Sequence, residues 1–125
     1  MDSKIEGAYN VFRPGCPSHK VVELLGSKWT LLVMCSLAEG VCRFGEMGRT
    51  VEGITPKMLT QTLRNLEQAG MISRQVFPVV PLRVDYELTP LGSSLVGLLG
   101  NIRAWAETHV PDIEAAREAY RAAAE

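Results

Sequence analysis

The segment GITPKMLTQTLRNLEQAG, residues 53–70, carries the signals that begin and end one helix. Thr55 can accept a hydrogen bond from a first-turn amide, and Pro56 fits the first helical position, where no amide hydrogen is needed. Gly70 tolerates the left-handed geometry in which many helices end. Apolar residues recur at helical spacing and predict a buried stripe made of Leu59, Leu63 and Leu66. This helix must therefore pack its leucines onto other elements of the chain.

The hydrophobic period changes from helical to alternating directly after Gly70. MISRQVF, residues 71–77, is rich in branched and aromatic residues, and LRVDYEL, residues 82–88, alternates apolar and polar positions. The two patterns predict two strands, the second with Arg83, Asp85 and Glu87 on its polar face. PVVP lies between them, and its two prolines cannot donate to a strand ladder. The sequence therefore predicts a hairpin with an irregular tip.

Helical patterns flank this unit on both sides. Upstream, we predict helices from Pro17 to Gly26 and from Ser27 to Gly40, followed by a short helix in RFGEMGRT, residues 43–50. Downstream, Thr89 and Pro90 repeat the pattern of a cap followed by proline and begin a long helix that extends to about His109. Its apolar stripe consists of Leu91, Leu95, Leu98, Leu99, Ile102 and Trp105. This stripe is interpreted as core or as a dimer seam, with a ligand pocket as the alternative.

The order of these elements predicts an α+β fold, mainly α: a winged helix-turn-helix DNA-binding domain with additional N- and C-terminal dimerisation helices. A chain of 125 residues suits one domain with one core. We expect a loose N-terminal arm at residues 1–15 and the winged helix-turn-helix domain at residues 16–110. Pro111 is expected to break the long helix, which leaves a separate C-terminal helix at residues 111–125.

The polar face of the helix in residues 55–68 predicts a DNA-reading surface. In a winged helix-turn-helix the second helix enters the major groove, where Gln can pair with adenine and Lys or Arg with guanine. Before Glu67 this face has no acid, and its candidate contacts are Thr55, Lys57, Thr60, Gln61 and Arg64. Arg83, near the wing tip, and Arg74 are candidates for flanking contacts to the minor groove. The alternative readings are a solvated helix face and, for the two arginines, strand-edge solubility.

The charge distribution is compatible with this partner. Residues 27–83 hold seven Lys or Arg against four acids, whereas residues 84–125 hold three Arg against seven acids. A basic middle segment suits a phosphate backbone, although the excess is small. The expected partner is a double-stranded DNA operator.

Two long stretches of the sequence resemble the HxlR-type transcriptional regulators, relatives of the MarR group. They are CPSHKVVELLGSKWTLLVMCSLAEGVCRFGEM and GITPKMLTQTLRNLEQAGMISRQVFPVVPLRVDYELTPLGSSL. The likeness covers roughly residues 16–105, and several separate features agree in order along the chain. The resemblance implies a homodimeric, DNA-binding winged-helix regulator without enzymatic activity or cofactor, and the family includes both repressors and activators. Some members respond to small-molecule electrophiles or oxidants through a cysteine near the N-terminus, and Cys16 stands at the matching Cys-Pro position.

The three cysteines, Cys16, Cys35 and Cys42, make a disulfide-stapled secreted scaffold a poor interpretation. Cys16 precedes Pro17 at a predicted helix start, where partial positive charge favours a thiolate, and His19 and Lys20 lie in the first turn. It is a candidate redox sensor, and the alternative is a small residue packed at the dimer seam. Cys16 and His19 have C-x-x-H spacing, but no compact second pair of ligands accompanies them, so no metal site is predicted.

Other classes of function lack support in the sequence. There is no Gly-rich phosphate loop, no H-E-x-x-H and no G-x-S-x-G, so no enzymatic activity is expected. The start MDSKIEGAYN has no apolar run, and no stretch approaches the roughly 18 apolar residues of a membrane span. We therefore expect a cytoplasmic protein with no membrane partner. The remaining alternatives are a winged-helix module that binds protein and a thiol-based enzyme that uses Cys16.

Overall fold

The computed structural model describes residues 9–124, and within that range helices surround one antiparallel hairpin. The elements are, in chain order, α1 Pro17–Leu25, α2 Lys28–Ala38, α3 Phe44–Thr50, α4 Pro56–Gln68, β1 Ile72–Phe77, β2 Arg83–Leu88 and α5 Pro90–Ala124. The mainly helical fold with a two-stranded wing is the one that the sequence predicts. The predicted helix over residues 27–40 is slightly shorter in the structure, because α2 ends at Ala38, two residues before Gly40.

The core forms where α2, α3 and α4 meet, and it is completed by residues of β1 and α5. The largest fully buried side chains are Met34, Met47, Leu59, Leu63, Leu66 and Val33. The predicted leucine stripe of α4 is therefore confirmed as core. Each fully buried aliphatic side chain of this kind stabilises a fold by about 1.5–3 kcal/mol. The packing fixes the rotation of α4 about its own axis and thereby determines which of its side chains face outward.

The local signals at the two ends of α4 act as the sequence predicts. The hydroxyl oxygen of Thr55 accepts a hydrogen bond of 3.1 Å from the backbone N–H of Met58. Pro56 is the first helical residue, and α4 ends at Gln68. Gly70 then adopts a φ of +76°, and its N–H donates to the carbonyl of Glu67. The helix that carries the candidate DNA contacts is consequently capped at its N-terminus and held at its C-terminus.

In the hairpin, the register of β1 and β2 places Arg74 and Arg83 on opposite faces. Arg74 lies opposite Tyr86, Gln75 lies opposite Asp85, and Phe77 lies opposite Arg83. Residues 78–82 lie outside both strands, as the two prolines predict. An isolated bridge between Arg43 and Asp85 joins the segment before α3 to the outer edge of β2. This bridge attaches the wing to the start of the helix-turn-helix.

The predicted break at Pro111 is wrong, because α5 continues from Pro90 to Ala124 with Pro111 inside it. An internal proline removes one backbone hydrogen bond and crowds the carbonyl four residues earlier, that of Glu107. Glu107 and Pro111 are both exposed, so that carbonyl can be hydrated by water. His109 accordingly lies within the helix, where its ring stacks on Trp105 with ring centroids 4.4 Å apart.

Two helices leave apolar side chains uncovered. None of the residues of α1 is buried, although Val21 and Val22 are among its apolar positions. In the predicted stripe of α5 only Leu99 is buried, and four members are exposed: Leu91, Leu98, Ile102 and Trp105. The stripe is thus mostly a surface feature of the single chain, and its use as core is limited to Leu99 and the half-buried Leu95.

The predicted N-terminal arm lies partly outside the described residues. From residue 9 onward the chain forms turns, in which the Arg13 N–H donates to the Asn10 carbonyl and the Cys16 N–H to the Arg13 carbonyl. Among residues 9–124 no single helix is both long and apolar enough to cross a membrane. The pair of α1 and α2, bent by 71°, passes that test together by length and composition alone.

Candidate nucleic-acid interface

The outer face of α4 presents the side chains that the sequence predicts. Thr55, Lys57, Thr60, Gln61 and Arg64 are all exposed, while the leucines of the same helix are buried beneath them. The face is therefore held by a rigid core rather than by a mobile loop. Its donors point away from the domain at the position where a helix-turn-helix presents its second helix.

Gln61 is oriented by a neighbour one turn along the helix. Its Nε2 donates a hydrogen bond of 2.9 Å to Oδ1 of Asn65. A Gln side chain has two N–H donors and one carbonyl acceptor, so one donor and the acceptor stay available. Those are the two groups that pair bidentately with the N7 and N6 atoms of adenine. Asn65 thus restricts the rotation of Gln61 without consuming the groups that would read a base.

The guanidinium of Arg83 is held on the wing by its own strand. Its Nε lies 3.1 Å from Oδ1 of Asp85, and its Nη2 lies 2.8 Å from Oδ2. The guanidinium also lies over the ring of Phe77, 4.5 Å from the ring centroid. The two hydrogen bonds from Arg83 are the main cause that lowers the pKa of the Asp85 carboxyl. Arg83 is therefore a fixed cation rather than a freely moving one.

Arg74 lies on the opposite face of the hairpin, on the side of Tyr86. Its Nε is 3.8 Å from a carboxylate oxygen of Glu67, near the end of α4. The wing therefore does not present Arg74 and Arg83 as one patch. Arg74 is grouped instead with the C-terminal part of α4.

Cys16 is the N-cap residue of α1, as predicted, and it has hydrogen-bond partners. Its Sγ lies 3.2 Å from the hydroxyl of Ser18 and receives the backbone N–H of Asn10 at 3.1 Å. The Ser18 hydrogen bond, followed by the Asn10 N–H, lowers the pKa of the Cys16 thiol, and the charge of Arg13 adds to the effect. The sequence predicts the helix N-terminus as the main cause, with His19 and Lys20 as additional positive charge. The imidazole Nδ1 of His19 instead lies 2.7 Å from the carbonyl of Val11.

The other two cysteines occupy different environments. Cys35 is buried in the core, and burial raises the pKa of its thiol. Cys42 is half-buried, and its carbonyl accepts the N–H of Tyr86 at 2.8 Å. Within residues 9–124 no group of three or more His, Cys, Asp or Glu side chains is arranged to hold a metal ion.

Sequence reasoning missed two arginines with defined partners. Arg43 Nε lies 4.0 Å from Oδ1 of Asp85, and Arg103 on α5 bonds to Glu39 after α2 and to Glu107 on its own helix. The Arg103–Glu39 pair joins the long helix to the end of α2. The Arg43 and Arg103 contacts to Asp85 and Glu39 depend on tertiary pairing, so no local pattern could have identified them.

The capped α4, the preceding α3 and the paired wing define a winged helix-turn-helix protein. Residues 24–114 match the HxlR-like helix-turn-helix family, and the chain belongs to it.

The comparisons with individual proteins agree with this assignment. The chain is 38% identical over 109 residues to YtfH of Escherichia coli K12, an uncharacterized HTH-type transcriptional regulator, with 87% of this chain and 86% of that protein covered. The structure of the ytfH regulator of Salmonella typhimurium superposes with a TM-score of 0.83 at 38% identity, covering 88% and 98% of the two chains. The redox regulator HypR in its reduced form superposes with a TM-score of 0.71 at 32% identity, covering 79% and 98%.

Proposed function

We propose that the protein is a homodimeric transcriptional regulator that binds a specific double-stranded DNA operator through the exposed face of α4. The observation that carries this proposal is the acid-free row of donors on α4, exposed above a buried leucine stripe. A face that served solubility alone would be expected to mix acids with bases. Gln61 and Arg64 are proposed to read bases, and Lys57 and Thr60 to contact bases or phosphates.

The wing is proposed to support binding from the flank. Arg83 would lie in or beside the minor groove, where narrow grooves attract arginine. Because Arg83 is fixed by Asp85, it would enter the complex with little loss of side-chain entropy. Arg74 has a weaker case, since it lies on the other face of the hairpin and near Glu67.

The proposed homodimer rests on the apolar faces that the single chain leaves uncovered. Val21 and Val22 of α1 and the stripe of α5 supply exposed aliphatic and aromatic surface on two helices. A twofold dimer would bury these faces and hold two copies of α4 at half-sites about one helical turn apart, roughly 34 Å. A single winged helix reads too few base pairs for strong selectivity, so dimerisation also increases specificity.

Cys16 is proposed to make the regulator responsive to an electrophile or an oxidant. The hydrogen bonds from Ser18 and Asn10 favour the thiolate, which is the reactive form. HypR, a structural relative, is described as a redox regulator. Modification of Cys16 at the start of α1 would add bulk beside the proposed seam. A shift of the two α4 helices by about an ångström or two would then prevent the dimer from binding both half-sites at the same time.

We infer that the protein acts in the cytoplasm, where cysteines stay reduced at rest, and that it has no catalytic role. The two alternatives are a protein-binding winged helix and a thiol-based enzyme. The experiment that separates them is selection of bound fragments from random DNA, followed by titration of the selected site at several salt concentrations. DNA binding by phosphate neutralisation predicts a linear fall of log K with log salt concentration. Failure to enrich any sequence would exclude specific DNA recognition.

The sensing proposal has its own test. Operator affinity is measured before and after treatment with diamide, for the parent and for Cys16→Ser. The parent is expected to lose affinity and the variant to keep it. Equal responses of the two proteins would assign the sensing to another residue.

A further inference from the structure

One acid on the proposed DNA-binding side of the wing is shared by two arginines from different parts of the fold. Asp85 receives two hydrogen bonds from Arg83, at 3.1 and 2.8 Å, and its Oδ1 lies 4.0 Å from the Nε of Arg43. Arg43 is the N-cap residue of α3, the first helix of the helix-turn-helix. The three side chains therefore join the wing to the start of α3.

The backbone explains why these side chains meet. Asp85 pairs with Gln75 of β1 on one side and forms the bridge with Arg43 on the other. The next residue, Tyr86, donates its N–H to the Cys42 carbonyl at 2.8 Å. Cross-strand partners project their side chains to the same face, so Arg43 and Asp85 are placed side by side by main-chain hydrogen bonds.

Burial and charge argue against a role in stability alone. The side chain of Asp85 is 17% exposed, whereas those of Arg43 and Arg83 are 54% and 41% exposed. Such partly exposed pairs contribute little to stability. An acid near a DNA surface is also unfavourable by charge, because it repels phosphates. Asp85 thus gives the exposed guanidinium groups of Arg43 and Arg83 a defined position, although its own negative charge repels phosphates.

We propose that Arg43 is a further DNA-backbone contact and that Asp85 is a positioning residue that holds Arg43 and Arg83 as one unit. This inference rests on the proposed DNA-binding function. The ligand that Arg43 would meet is a phosphate of the operator on the flank of the half-site, between the wing and the start of α3. Arginine suits that contact because its guanidinium can bond the carboxylate on one edge and a phosphate on another.

The sign of one substitution separates positioning from simple charge. Asp85→Asn removes a negative charge, so charge alone predicts tighter DNA binding with a steeper salt dependence. Positioning predicts the opposite: operator affinity falls about fivefold or more despite the gained positive charge. Glu87→Gln is the matched control, since Glu87 is an exposed acid on the same strand and forms no ion pair with an arginine of residues 9–124. Asp85→Glu, which keeps the charge, should restore part of the affinity.

The experiment is a fluorescence-anisotropy titration of the selected operator at 50 and 200 mM salt for each variant. Loss of one phosphate contact lowers the salt slope by about 0.9. Between 50 and 200 mM salt, the fold loss of operator affinity should therefore be about 3.5 times smaller for Arg43→Ala than for the parent. The losses of Arg43→Ala and Arg83→Ala should also be non-additive, because both arginines share Asp85. This comparison of the two single variants with the double variant keeps Asp85 in place. It therefore tests the positioning role even if Asp85→Asn does not fold.

The outcomes distinguish the inference from the function on which it rests. If the parent selects no DNA, the proposed function fails and this inference with it. If the parent binds but Arg43→Ala keeps the parent's affinity and salt slope, only the Arg43 contact is refuted. Additive losses of the two alanine variants, or a folded Asp85→Asn that binds as tightly as Glu87→Gln, would refute the positioning role of Asp85.

Discussion

Gly92 at the start of α5 should not tolerate a side chain, whereas Gly97, an exposed glycine five residues later in the same helix, should tolerate one. A Cβ built on Gly92 would overlap the carbonyl oxygen of Met71 and lie 3.0 Å from its carbonyl carbon. That carbonyl is fixed, because it accepts the Thr89 N–H at 3.0 Å. Thr89 is itself fixed, since its hydroxyl donates to the Gly70 carbonyl and accepts the Gly92 N–H. The obstacle is main chain and cannot rotate away.

The magnitude follows from two opposing effects. Overpacking against backbone costs typically about 1–3 kcal/mol, whereas Gly to Ala in a helix interior gains about 0.5–1 kcal/mol. Gly97 has nothing within 4 Å of a built Cβ, so Gly97→Ala should show the gain alone. Because the gain applies to both variants, we expect the free energy of unfolding of Gly92→Ala to lie about 1–3 kcal/mol below that of Gly97→Ala. The gap corresponds to roughly 4–12 °C in Tm.

The assay is denaturant unfolding followed by far-ultraviolet circular dichroism, at one protein concentration because dimers gain stability with concentration. The junction also joins the end of α4 to the start of α5, so a shift there would change how the proposed seam is linked to the proposed reading helix. Equal unfolding midpoints for the two alanine variants would refute the reasoning about Gly92.

Two further predictions concern the sensor and the seam. Ser18→Ala should raise the pKa of Cys16 and slow its alkylation by iodoacetamide at pH 7, because less thiolate is present. The alkylation rates of the parent and the variant should converge at alkaline pH. Equal rates at pH 7 would count against the effect of the Ser18 hydrogen bond. Leu98→Asp should give a monomer by light scattering, since a dimer would bury an unpaired charge; its monomer stability should change by no more than about 0.5 kcal/mol because Leu98 is exposed in the single chain.

The parts of the fold that sequence could predict are those with local causes. Thr55, Pro56 and Gly70 determine the ends of α4 through backbone chemistry within one turn, and the leucine spacing determines its buried face. The alternating pattern of β2 likewise places Arg83 and Asp85 on one face. The sequence therefore contains the signal for their ion pair. That consequence follows from a strand period of two, although Arg83 is predicted from the sequence only as a candidate minor-groove contact.

The parts that sequence could not predict depend on tertiary neighbours or on solvent. Arg43 meets Asp85 only because the segment before α3 bridges to the wing, 42 positions apart in numbering. Pro111 is compatible with a continuous α5 because the helix is exposed there, a fact that no local pattern reveals. The lowered pKa of Cys16 depends mainly on hydrogen bonds with Ser18 and Asn10 in the folded turn, a geometry that the sequence pattern does not show.

The central claim is that α4 reads the operator, and the most direct measurement compares two predicted contacts with a matched control on the same helix. Gln61→Ala, Arg64→Ala and Gln68→Ala all shorten exposed side chains of α4, but only the first two lie among the proposed base contacts. Titration of the selected operator should show losses of about 1–3 kcal/mol for Gln61→Ala and Arg64→Ala if each makes a bidentate base contact, and little loss for Gln68→Ala. Operator affinities for Gln61→Ala and Arg64→Ala equal to that of Gln68→Ala would contradict the claim.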